Sequence, residues 1–156
     1  MAGVQDTLPG AEVRRNGDTV GLPHGESDGT LLSNATVQPG DAVAYDGTSI
    51  SKATEGDVVV GILVNYEVYG ASHQGEKIKG DVDANVAVGG SYKGKVSGEV
   101  TAGMALGSID NTNGTDPNDG ELGDASLANS NSDGLSARAV EVYTDGDGQD
   151  WAEVVF

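Results

Sequence analysis

Short apolar runs, alternating with polar residues and punctuated by glycine, follow one another along most of this chain. A period of two between turn residues predicts β-strands, because successive side chains of a strand point to opposite faces. Residues 35–53, ATVQPGDAVAYDGTSISKA, read as strand, Pro-Gly turn, strand, Asp-Gly turn, strand. Glycine supplies the positive φ that such turns need. Asp57 to Gly70, DVVVGILVNYEVYG, is the most apolar run. Its β-branched content predicts a buried strand, and Gly61 inside it marks a bulge or a close backbone approach. In residues 76–90, EKIKGDVDANVAVGG, the spacing turns Ile78, Val82, Val86 and Val88 to a core and Lys77, Lys79, Asp81 and Asp83 outward. Val96, Val100, Met104 and Leu106 continue the rhythm through residues 91–107. No strong amphipathic helix is predicted, so the fold class is all-β.

The flanks differ. Residues 1–35 hold two of the four prolines and few apolar anchors, among them Leu8, Val13, Val20 and Leu22. Alone, such a segment buries too little to fold, so it is expected as an extended N-terminal arm or as one or two edge strands. Residues 36–156 form the predicted domain, with a long polar loop inserted at about 110–133, DNTNGTDPNDGELGDASLANSNSD. Loops of that length inside a compact domain are usually functional or mobile. The C-terminal WAEVVF carries the sole Trp and the sole Phe of the chain. An apolar end docks somewhere, so Trp151 and Phe156 are expected in a last strand or at a subunit interface, where aromatics are enriched. There is also internal likeness: Val37-x-x-Gly40-x-Ala42-Val43 matches Val100-x-x-Gly103-x-Ala105-Leu106, and each is followed by an apolar strand, VVVGILV and ARAVEVY. The chain reads as two related β motifs, the second interrupted by an insertion, or as a chance similarity between glycine-rich strands.

Composition narrows the function. The 156 residues suffice for one ordinary domain. Without cysteine, disulfides, thiolate metal sites and thiol chemistry are excluded. No apolar run reaches the 18 residues of a membrane-spanning helix, and no secretory signal opens the chain; no membrane partner and synthesis in the cytoplasm are expected. A formal net charge of −17 repels nucleic acid. It also repels itself at ordinary ionic strength, whereas in molar salt the screening length falls to ~3 Å. Acidic residues spread over the whole chain, with few lysines and aromatics, predict a protein adapted to high salt.

Recognisable chemistry is scarce. His24 and His73 sit in glycine-flanked loops, neither beside a G-x-S-x-G elbow, and read as surface histidines. Carboxylate pairs are uninformative among 25 acids. GTSISK and GGSYKGK lack the spacing of a phosphate-binding loop. Tyr92, Lys93 and Lys95 make a small basic-aromatic cluster, read as a local salt-bridge patch. DGDGQD, Asp145 to Asp150, resembles the start of a calcium loop, but Asp150 and Phe156 stand where that loop needs Gly and Glu. Its acidic tip, Asp145, Asp147 and Asp150, is either a hairpin turn or a weak cation site; no cofactor is expected.

The order PGDAVAYDG, ISKATEGDVVVGILV, GEKIKGDVDANVAVGGSYKGKVSGEVTAGMAL, ARAVEVY, over about Val37 to Val142, resembles small capsid decoration (cement) proteins of tailed double-stranded DNA viruses. The acidic composition suits a virus of a halophilic archaeon. The resemblance implies a compact β-barrel or β-tulip body on the outer surface of an icosahedral virion, commonly a homotrimer. It implies binding to the major capsid protein without catalysis, through an N-terminal arm whose candidate contacts are Val4, Leu8, Pro9, Val13, Arg14 and Arg15. Other expectations stay open: a tail, turret or fibre-attachment module, a carbohydrate- or cation-binding surface module, or, from another class, a small hydrolase.

Overall fold

The computed structural model describes residues 18–70, 72–109, 119–127, 130–134 and 136–156. The candidate arm contacts Val4, Leu8, Pro9, Val13, Arg14 and Arg15 lie outside them. The protein is all-β. Among the described residues twelve strands alternate with tight turns: β1 (Asp18–Leu22), β2 (Ala42–Tyr45), β3 (Ile50–Lys52), β4 (Gly61–Asn65), β5 (Val68–Tyr69), β6 (Lys77–Ile78), β7 (Ala84–Gly89), β8 (Ser91–Lys95), β9 (Ala105–Gly107), β10 (Gly123–Asp124), β11 (Ala137–Thr144) and β12 (Asp150–Val155). They form two five-stranded antiparallel sheets, ordered β1-β7-β4-β2-β3 and β10-β9-β11-β12-β8, and a small β5-β6 ribbon.

The two sheets are the same design. Numbered by chain order within each sheet, both read 3-2-4-5-1. The internal likeness seen in the sequence is its signature. Gly40 and Gly103 both have positive φ, 94° and 88°, in turns closed by Asp41 N–H to Gln38 C=O (3.0 Å) and Met104 N–H to Thr101 C=O (3.2 Å). That is the position where a type II turn requires glycine. Gly40 N–H then donates to Leu63 C=O and Gly103 N–H to Ala139 C=O. The strand following each turn pairs alike: Ala42 with Ile62, and Ala105 with Arg138. Even the register shift recurs, between Leu63 and Asn65 in the first sheet and between Ala139 and Glu141 in the second.

The cores match in the same way. Val37, Val43, Ile50, Leu63, Ala84 and Val86 are buried in the first unit. Val100, Leu106, Leu122, Ala139, Ala152 and Val154 take the corresponding places in the second. At Gly61 the backbones stand close together: a Cβ there would overlap Ala87 C=O of the neighbouring strand, the close approach expected there.

Among the described residues closure into a continuous barrel is not seen. The edges of each sheet meet through isolated pairing instead, Ile50 N–H to Pro23 C=O (2.9 Å) in the first and Leu122 N–H to Lys95 C=O (2.9 Å) in the second. Of the two alternatives for the N-terminal segment, its described part takes the second: β1 is an edge strand paired along β7. Within 110–133, the described residues hold β10 and the fully buried Leu122. They clasp the first unit: Gly120 C=O accepts from Ala42 N–H (2.7 Å) and Gly120 N–H donates to Ala53 C=O (2.8 Å). Val88, expected inside, is 37% exposed; it sits at a register shift, where β1 pairs Asp18 with Gly89 and Thr19 with Ala87 and passes it over.

Candidate functional site

The chemistry-bearing side chains gather at the seam between the two units. Asp41 follows the Gly40 turn and is 1% exposed. Its carboxylate accepts from Gln38 N–H (2.7 Å) and from Lys95 Nζ of β8 (2.8 Å), with Lys52 Nζ at 3.8 Å. A buried carboxylate without such partners would be strongly unfavourable. The Lys95 ammonium also lies 5.8 Å over the Trp151 ring, within cation–π reach. Lys93 stands likewise over Tyr143. The basic-aromatic cluster of the sequence is therefore a seam, with Lys95 as its cation.

Trp151 is half-buried. A Cβ on Gly40 would overlap its ring, and its Nε1–H donates to Asp145 Oδ2 (2.8 Å). That bond, with N–H donation from Asp147 and Gln149 (2.9 and 3.0 Å), holds the Asp145 carboxyl below its ordinary range. The turn explains the acidic tip. Asp145 faces N–H donors, and Asp150 accepts from the Thr144 hydroxyl. Asp145, Asp147 and Asp150 do not converge on a cation: among the described residues no group of three or more His, Asp or Glu could hold a metal ion. The tip is a hairpin turn.

His24 is engaged as well. Its Nε2 lies 3.2 Å from Lys79 C=O, its Nδ1 accepts from Glu26 N–H (3.1 Å), and its ring meets Tyr66 edge-on at 5.0 Å. The Tyr66 hydroxyl donates to Val37 C=O (2.7 Å), and burial pushes its acidity far out of the working range. These groups tie loops together.

An open apolar surface lies on the second sheet. Ala105, Ser136, Ala137, Arg138, Val140, Val155 and Phe156 line a shallow groove of about 450 Å³ on the outer face of the second sheet. Val140 is 47% and Val155 45% exposed. Phe156 packs partly against the second core, and its backbone exchanges hydrogen bonds with Gly90 (2.6 and 2.9 Å). Of the two aromatics expected at an interface, then, Trp151 is spent on the seam within the chain, while Phe156 borders the open groove. The groove was not singled out in the sequence, although the alternation of ARAVEVY carries its signal. The chain matches no family model, no curated protein and no solved structure.

Proposed function

We propose that the protein is a structural component that decorates the outer surface of an icosahedral viral shell, as a homotrimer bridging neighbouring major capsid protein subunits without catalysis. The observation that carries this is the division of labour among its side chains. The buried Asp41 and its lysines serve the seam, and the exposed apolar residues Val140 and Val155 lie on a sheet face. A body built this way works through its outer surfaces. A protein that binds only the assembled shell stabilises it by mass action, and repetition on a symmetric lattice multiplies a modest contact. The N-terminal segment, with Arg14 and Arg15, supplies cations that an acidic shell surface would attract.

Co-sedimentation with undecorated particles in molar salt tests this. The full chain is expected in the pellet, and a chain lacking residues 1–17 in the supernatant; the cut stops before β1, which belongs to the folded sheet. Absence of the full chain from the pellet would overturn the decoration role, and equal pelleting of the truncated chain would overturn the part assigned to the N-terminal segment.

A further inference from the structure

The open groove has a counterpart that is already covered. In the first unit, the positions corresponding to Ala105, Arg138, Val140 and Val155 are Ala42, Ile62, Val64 and Ala87, as the strand registers fix them. Ala42, Ile62 and Ala87 are 0–1% exposed, because the second unit of the same chain sits on them. β8 does the covering: a Cβ on Gly94 would stand 2.8 Å from Ile62 Cδ1, and Tyr92, Lys93 and Trp151 line a cavity shared with Ile62 and Val64 at its margin. Each unit of this design thus carries an outer face shaped to receive the first strand of the next unit. In the second unit that face has no successor.

From this we infer that the open face of the second unit seats the first unit of another copy of this chain, head to tail. The covering strand has a counterpart in the first unit. β1 corresponds to β8, with Val20 in the place of Tyr92, since Val20 pairs with Val86 as Tyr92 pairs with Val154. Val20 is 41% exposed, and the neighbouring Asp18 and Asp83 are exposed too. Charge agrees with the shape. Arg138 replaces Ile62 at the centre of the groove, donates to Gly103 C=O (2.5 Å), and pairs with no carboxylate among the described residues. An acidic β1 edge supplies one. A contact between two different patches propagates from copy to copy and closes as a ring when the rotation permits. The inference is independent of any shell.

Sedimentation velocity across a dilution series in molar salt tests it, with near-ultraviolet circular dichroism of Trp151 confirming that each variant is folded. The wild type is expected to associate, and Val155→Asp to raise the midpoint concentration roughly 30-fold, equivalent to the ~2 kcal/mol lost with an interface anchor. Because the chain lacks cysteine, orientation can be read directly. A mixture of Val20→Cys and Val140→Cys chains should form the mixed disulfide, in preference to either homodimer. A wild type that stays a single chain throughout, an unchanged midpoint for Val155→Asp, or rapid homodimerisation of Val140→Cys by itself would each overturn the head-to-tail contact. So would a monomer whose Val155→Asp variant loses only shell binding, since the occupant would then be the shell.

Discussion

Gly40 shows how much a single residue carries here. It combines φ of 94° with the Trp151 ring resting where a side chain would be. Gly47 has nearly the same φ, 93°, with nothing near its missing Cβ. Comparing Gly40→Ala with Gly47→Ala therefore separates steric overlap from backbone strain. Urea denaturation should give a loss of about 2–4 kcal/mol for the first and about 1 kcal/mol for the second; equal losses would mean that the ring moves aside freely. Asp145 gives a pH prediction. Its carboxyl is held below the ordinary 3.8, first by the Trp151 hydrogen bond. A depressed folded value stabilises above the unfolded one, and that stabilisation fades as pH falls through the folded one. The urea midpoint of the wild type should thus decline more steeply than that of Asp145→Asn as pH drops from about 4. Parallel curves would show that the bond is not formed in solution.

At the scale of elements, the repeat turns equivalent positions into controls for one another. Ile62 and Arg138 occupy the same place on β4 and β11, one covered by the second unit and the other open. Ile62→Ala should cost about 3 kcal/mol through a cavity at the seam, whereas Arg138→Ala, measured in dilute solution, should stay within about 0.5 kcal/mol. Similar costs would mean that the open face is covered even in the isolated chain. The repeat was legible in the Val-x-x-Gly-x-Ala motif and the aliphatic after it, because the type II turn demands glycine and the following strand demands an inward aliphatic, Val43 in one unit and Leu106 in the other. Its extent was not legible. β1 and β8 share almost no residue types, DTVGL against SYKGK; they are equivalent only through their pairing with β7 and β12. Leu122 was hidden for a related reason: one leucine among acids shows no periodicity, yet it fills the place of Ile50.

For the whole molecule, charge is the dominant variable. With a net charge of −17 and three ion pairs among the described residues, most carboxylates face solvent and repel one another. Raising salt from ~0.1 M to ~1 M shrinks the screening length from ~10 Å to ~3 Å. Relief of about 2 kcal/mol would lift the melting temperature by roughly 4–8 °C. Calorimetry in graded KCl should show that rise; a flat or falling melting temperature would remove the case for adaptation to high salt. The buried Asp41–Lys95 pair, shielded from the solvent, should contribute little to the slope.

The sequence by itself determined the strand character, the turn glycines, the acidic surface and the outline of a repeat, because each rests on residues a few places apart and on local backbone chemistry. Only the tertiary structure decided that two sheets stack as successive units, that Asp41, Lys95 and Trp151 meet at their seam, and that one outer face is covered while its twin stays open. Those contacts join residues roughly 30 to 110 positions apart, a distance over which alternation and turn signals carry no information about which surfaces meet.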